Sequence, residues 1–420
     1  MAASSKPERV KQAMITQGAR RGRMKLVYLT ADLTDPVCYR RVRMLREGFS
    51  DIALLGFRRS AEPVASIEGI AVTELGRVEA GRLLQRSGSV AAMMLTLNRH
   101  RSAFAGASVI LARNLDMLVL AALARRHYAP SASLVFECLD LHCAMTSRTP
   151  IGVAVRQLER LLLRSCDRLV VSSPDYLTGY FGQVHGRLPR TLVVENKVLE
   201  AEIVASATPV PLQPGPPWRV GWCGQMRCRE SIHLLARLVR LLEGRIEVVL
   251  RGAVLPQAVP DFLDVIESTP GMHYGGPYDR RTELPAVYAD LHFTWAIDFF
   301  GSHGNSQNLL PNRLYETGLY GVVPIADRSV ATGRWLARHG AGILFEDPIE
   351  ETAIRFFKTL DAEVFTRAKR KWAQVPRSAF VSSIEECCLV CAALAEPPTR
   401  FIRTDWAANR CHAREADRNA

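Results

Sequence analysis

Short apolar runs recur along this chain, each followed by an amphipathic stretch, and a cluster of prolines interrupts the series once. Strand–helix units have this pattern, because parallel strands covered on both faces read as near-continuous hydrophobic runs. Before the prolines, strands are expected at 25–29, 52–56, 108–111, 133–137, 168–172 and 191–194. Helices are expected at 40–47 and 153–164, the second with apolar positions at Val155, Leu158, Leu161 and Leu162. After the prolines, strands are expected at 220–223, 247–250, 272–274, 291–296, 322–326 and 342–345. Helices are expected there at 231–242, 261–267, 284–288, 311–320 and 332–338, and 349–394 reads as helical throughout.

Pro209, Pro211, Pro214, Pro216 and Pro217 fit neither a helix nor a central strand, so they predict a stiff linker. A chain of 420 residues also exceeds what one core usually serves. The expected organisation is a flexible segment at 1–23, an α/β domain at 24–206, the linker at 207–217 and a second α/β domain at 218–360. Helices at 361–395 and a frayed tail at 396–420 complete it. The fold class is α/β, with two Rossmann-like doubly wound domains facing a central cleft and a helical C-terminal segment. Ligands of such folds bind beyond the carboxyl ends of the strands.

The net charge of +12 points to anionic partners. Nucleic acid is not expected among them, since no basic run is interleaved with aromatics. No apolar stretch has the length of a bilayer span, and residues 1–23 lack a signal-peptide core. The ten cysteines lack framework spacing, and Cys387, Cys388 and Cys391 read as packing thiols of a predicted helix, so a reducing, cytoplasmic location is expected. Dinucleotide and P-loop glycine fingerprints are absent, and so is an Asp-x-Asp pair that would chelate a metal. No cofactor and no metal are expected.

The segment from Asn305 to Gly321 carries the clearest chemistry. A polar loop runs into a helix predicted to start at Pro311 and stop at Gly321. Free backbone N–H groups over Leu310, Asn312 and Arg313 would attract phosphate, and Glu316, a turn further in, would accept from sugar hydroxyls. That combination suggests a nucleotide-sugar site. Gly224 ends a strand and lets a ligand approach the backbone, with Arg227 and Arg229 beyond it to neutralise a diphosphate. An ordinary loop with solvated arginines is the alternative. Arg251 repeats the pattern after the next strand, and Asp298 closes another, just before His303. In the first half, Asp140 and His142 form either an acid/base pair near an acceptor or a plain turn, and Asn114 ends the preceding strand.

Several segments in this order resemble bacterial family 4 glycosyltransferases of the two-Rossmann-domain GT-B type. The similarity is greatest to the succinoglycan-type transferases of exopolysaccharide assembly. They are Asp35-Pro36 with Arg40-Arg41-Val42, 111–116, 136–141, Leu158-Glu159-Arg160, 171–174, 194–197, Gly276-Pro277-Tyr278, and Asn305 to Gly321 followed by Pro324. The resemblance covers residues 24–348 and implies a metal-independent, retaining hexosyltransferase. It implies a nucleotide diphosphate sugar as donor and a saccharide acceptor, carried on a polyprenyl diphosphate lipid. Glu316 matches the second Glu of the family's Glu-x₇-Glu motif and would hold the ribose, while the first position is Asn308, a neutral amide. Arg227, with Arg229 or Arg251, would contact the diphosphate. Asp140, His142 and Asn114 would face the acceptor. A peripheral position on the anionic inner-membrane surface follows from the basic surplus, with Arg40, Arg41, Arg43 and Met44 as expected contacts.

Overall fold

The computed structural model describes residues 24–78, 83–203, 212–300 and 304–397. The segment at 1–23, Pro209, Pro211, His303 and the tail from 398 lie outside the described residues. The first half is built on an eight-stranded sheet of β1 (Lys25–Thr30), β2 (Asp51–Arg58), β3 (Ser66–Ile67), β4 (Ile70–Arg77), β5 (Ala107–Arg113), β6 (Ser133–Cys138), β7 (Arg168–Val171) and β8 (Arg190–Val193). Its order is β3-β4-β2-β1-β5-β6-β7-β8, parallel throughout except for the antiparallel β3–β4 pair.

A short strand β9 (Val198–Leu199) leads to the second half, whose six-stranded sheet is wholly parallel. Its strands are β10 (Trp218–Cys223), β11 (Ile246–Arg251), β12 (Met272–Tyr274), β13 (Phe293–Trp295), β14 (Val323–Asp327) and β15 (Ile343–Phe345), in the order β12-β11-β10-β13-β14-β15. Both sheets turn back at a central strand, the doubly wound arrangement expected, and each creates a crevice at its strands' carboxyl ends.

Alternation along β1 shows how the first half is layered. Val27 and Leu29 join one core with α2 (Leu83–Thr96), α3 (Leu115–Tyr128) and α4 (Pro150–Leu163). Leu26 and Tyr28 join the opposite core with α1 (Pro36–Arg46). In the second half, α5 (Arg229–Leu241), α6 (Asn312–Tyr320), α7 (Ala331–Arg338), α8 (Ile349–Thr359) and α9 (Ala362–Ala373) pack around the sheet. Trp218, Trp222, Trp295 and Trp372 are fully buried there and supply much of the apolar area that core removes from water.

The C-terminal stretch departs from the expected continuous helix. It breaks at Leu360 and Asp361, between α8 and α9, and again after α9, where β16 (Val381–Ser382) pairs with β9 before α10 (Ile384–Ala395) begins. Ser383 caps α10 by accepting from Glu386 N at 3.1 Å. This last helix crosses to the first half, where Cys387, Cys391 and Leu394 complete the α1 core. The backbones approach closely enough that a Cβ on Gly48 would lie 2.2 Å from Cys391 Cβ. The nine cysteines among the described residues are free thiols, and burial pushes that of Cys391 up to about 12.

Other expectations are corrected by tertiary contacts. Pro311 is extended and precedes α6 by one residue, so the helix starts at Asn312; Gly321 ends it in the left-handed conformation, with φ of 67°. Arg40 and Arg41 do not face a membrane: both are buried, with Nε of each paired to Glu202 at 3.0 Å and Glu137 at 2.6 Å. Met44 is buried and Arg43 is clamped by both carboxylate oxygens of Glu68.

Helix α4 is turned about its axis relative to its sequence pattern. Glu159 lies on the inner face, fully buried, where it accepts from Tyr180 Oη at 2.6 Å and meets His185 Nε2 at 2.6 Å. Val155 and Leu162 pack inward, whereas Leu158 and Leu161 point to solvent.

Candidate functional site

The carboxyl ends of the two sheets meet across a cleft. On the second-half side, Gly224 follows β10 with φ of +131° and its N–H donates to Arg251 O at 2.8 Å. Gly252, at φ +138°, lies so close that a Cβ there would stand 1.8 Å from Gly224 O. The two loops therefore require glycine where they touch, and their contact fixes the course of the chain into Arg227.

Asp298 follows β13 and accepts from Phe300 N at 2.9 Å. Two guanidinium groups flank it, Arg227 Nη2 at 3.4 Å and Arg313 Nη2 at 3.7 Å. Arg227 lies over the Phe300 ring at 5.3 Å, and Arg313 over Trp222 at 4.7 Å. Arg313 is only 7% exposed, and its Nε has no hydrogen-bond partner. One carboxylate between two guanidiniums leaves a local surplus of one positive charge. Burial pulls the Arg313 pKa down and Asp298 opposes that, which keeps the pair interdependent. A cavity of about 110 Å³ opens beside them, lined by Ile297, Asp298, Ser306, Pro311, Arg313 and Thr332 among others.

The first half contributes the ends of β5 and β6. Asn114 takes φ of +76°, and its N–H donates to Glu137 O at 3.0 Å, which ties the two strand ends together. Arg113 Nη2 pairs with Asp35 Oδ2 at 2.7 Å while its Nη1 has no hydrogen-bond partner. Asp140 keeps contact with solvent although protein from both halves surrounds it. That crowding raises its pKa above the usual carboxylate range, and a hydrogen bond from Asn305, with Arg227 and Arg113 nearby, pulls it back.

Asn305 is the bridge. It opens the one-turn helix Asn305–Asn308, donates from Nδ2 to Asp140 Oδ1 at 3.0 Å, and accepts at Oδ1 from Leu141 N at 2.9 Å and Tyr176 Oη at 2.6 Å. No periodicity marks such a residue, and its only signal in the sequence is its place in the polar loop before α6.

The remaining candidates divide. His142 Nδ1 accepts from Ala144 N at 3.1 Å and so caps the short helix Cys143–Thr146. Asn308 is buried, donates to Gly304 O at 3.0 Å, and presses on Gly179 of the first half. Glu316 is buried too, with its oxygens taken by Arg280 Nε and Tyr288 Oη, each at 2.7 Å. Burial beside Glu316 raises the Tyr288 phenol well above its usual pKa, so it stays a donor. Leu310 is in the core, and Asn312 accepts at 3.5 Å from Arg40 Nη1, across the boundary between the halves. Arg251 Nη2 is paired with Glu283 at 3.3 Å. Arg229 lies outside this cluster, in an exposed ion pair with Asp261 that His233 also joins.

Among the described residues no group of three His, Cys, Asp or Glu side chains is disposed to hold a metal ion, and no helix is long and apolar enough to cross a membrane.

No family model matches the chain. It is 36% identical over 368 residues to the succinoglycan biosynthesis protein ExoL of Rhizobium meliloti (strain 1021), covering 87% of this chain and 91% of that protein. Among solved structures it superposes on the sucrose-phosphate synthase of Thermosynechococcus elongatus with a TM-score of 0.67 at 12% identity, over 89% of this chain and 98% of that one. Anabaena HepE in complex with UDP and glucose gives a TM-score of 0.65 at 15% identity, over 88% and 98%. At such identities the likeness shows the fold, a pair of Rossmann-like domains of the GT-B kind.

Proposed function

The chain belongs to the family of the succinoglycan biosynthesis protein ExoL, and from that premise we propose that it is a glycosyltransferase of exopolysaccharide synthesis. It moves a hexose from a nucleotide diphosphate sugar to a saccharide acceptor carried on a polyprenyl diphosphate lipid, at the cytoplasmic side of the inner membrane. We assign it to the family 4 type, acting with retention at the anomeric carbon and without a metal.

The observation that carries this reading is the Arg227–Asp298–Arg313 cluster, facing Asp140 across the cleft. A leaving diphosphate develops negative charge, and two preorganised guanidiniums held on aromatic rings are suited to stabilise it. The backbone at the start of α6 adds N–H donors on the same side. Asp140, held by Asn305, orients the acceptor hydroxyl, and catalysis rests on positioning and charge neutralisation. The UDP and glucose bound in the HepE structure support a nucleotide sugar as the donor class.

The test is saturation-transfer NMR of the purified protein against UDP-, GDP-, dTDP- and ADP-sugars, repeated with Arg227→Gln. Binding of one nucleotide class that weakens in the variant supports the donor site; no binding by a folded protein would sink the reading.

A second reading is favoured by one feature. Asn308 and Glu316, the two motif positions, are both buried and engaged with protein. A GT-B module that holds a saccharide or lipid without turnover fits that arrangement. Donor binding with no release of nucleotide when lipid-linked acceptors are supplied would favour it.

A further inference from the structure

The outward face of α4 is apolar. Ile151, Ala154, Leu158 and Leu161 fall at i, i+3, i+7 and i+10, so they share one side of the helix. All four are exposed, Ile151 at 72%, Leu161 at 62% and Leu158 at 41%. The orientation is fixed from inside, because turning α4 would pull Glu159 away from Tyr180 and His185. A buried carboxylate without those partners would cost several kcal/mol. In the same helix layer, α2 exposes Met94 and Leu95, and α3 packs against both α2 and α4.

The segment that carries this face is basic in sequence, although Arg113, Arg125, Arg168 and Arg190 within it are paired with Asp35, Asp167 and Glu396. Residues 80–194 contain fourteen Arg and no Lys against six Asp and Glu, a surplus of eight of the chain's +12. The acidic side chains are taken up within the protein: Glu137 and Glu159 are buried, Asp167 is paired with Arg125, Asp175 with Arg334, and Asp140 is held by Asn305. Asp116 lies in the first turn of α3. The exposed residues Arg148 and Arg164 stand at the two ends of α4. A helix with an outward apolar stripe and cationic flanks lies in the headgroup plane of an anionic bilayer.

We propose that the α4 face docks the protein on an anionic lipid bilayer, in place of the α1 arginines that the fold buries. The stripe spans about 15 Å at 1.5 Å per residue, enough for one shallow contact. Its first residue, Ile151, follows Asp140 by eleven positions, through a loop that also meets the second half where a Cβ on Gly304 would stand 2.8 Å from Thr146. Bilayer contact at α4 therefore brings a lipid-borne acceptor to the Asp140 side of the cleft. That last link rests on the transferase reading, while the docking itself does not.

The experiment is co-sedimentation of the full chain with vesicles of phosphatidylglycerol and phosphatidylcholine, against phosphatidylcholine alone, with UDP binding by NMR on the same preparations. The expected result is salt-sensitive binding to the anionic vesicles. Combined Ile151→Ser, Leu158→Ser and Leu161→Ser should lower the partition coefficient at least about tenfold, as should Arg148→Gln with Arg164→Gln. UDP binding should be unchanged in both. Vesicle binding that the variants leave intact, or none by the wild type, overturns the docking face. So does a wild-type dimer that the triple variant turns into a monomer, which would make the stripe an interface between copies. Vesicle binding without nucleotide binding would leave the face standing and remove the transferase reading.

Discussion

Asn305 donates to the Asp140 carboxylate at 3.0 Å across the boundary between two halves that fold on separate sheets. The same side chain also accepts from Leu141 N and Tyr176 Oη, so its orientation is fixed by three partners on the opposite half. The Asp140 side of the cleft is thus positioned by a residue of the second half's loop. Any opening of the cleft must break this contact.

Removing it has a predictable sign. A hydrogen bond to the ionised carboxylate lowers its pKa, against the crowding that raises it. Asn305→Ala should therefore raise the Asp140 pKa further, and activity that needs the ionised form should be lost at higher pH as pH falls. The acidic limb of kcat/KM against pH is expected to move to higher pH. A limb that stays in place refutes the role of Asn305 as a positioning residue.

Arg227 is half-buried and shares Asp298 with Arg313. Arg227→Gln removes the charge proposed to meet a diphosphate without emptying a core position. A charge-assisted hydrogen bond is worth about 1.5–3 kcal/mol, so affinity for the nucleoside diphosphate should fall roughly 10- to 100-fold. Affinity for the free nucleoside should hold. Calorimetric titration with both ligands checks this, and equal losses for the two would point to general disruption.

Glu316 is as much a structural group as a candidate ribose ligand. Glu316→Ala leaves Tyr288 buried without an acceptor and Arg280 without its carboxylate. Breaking a buried pair costs roughly 3–5 kcal/mol, and the low end applies here because Arg280 is partly exposed. The denaturation midpoint should fall accordingly, whereas Glu316→Gln keeps an acceptor for Tyr288 and should lose about half as much. A midpoint unchanged in Glu316→Ala would show that the two partners find other acceptors.

Asn308 of the second half packs directly on Gly179 of the first. A Cβ at Gly179 would stand 2.2 Å from Asn308 Oδ1, while Asn308 is held by its bond to Gly304 O. Gly179→Ala should destabilise the protein by about 1–3 kcal/mol through overpacking. Chemical denaturation measures it, and a neutral result would mean that the amide swings away without cost.

Much of the architecture follows from the sequence alone. Runs such as Leu26–Leu29 and Val248–Leu250 are apolar because parallel strands are covered on both faces, and that is a local property. The stop at Gly321 and the glycines at 224 and 252 follow from backbone sterics in the same way. Which charges face outward does not. Arg40 and Arg41 read as a basic surface until Glu202 and Glu137, 162 and 96 positions further along the chain, are seen to bury them. The break before α10 depends on Val381 pairing with Val198, and the outward turn of α4 on Tyr180 and His185 receiving Glu159. Periodicity gives the helix and its stripe, but the face that turns inward is decided by distant partners that satisfy its buried polar group, and that is settled only when the chain has folded.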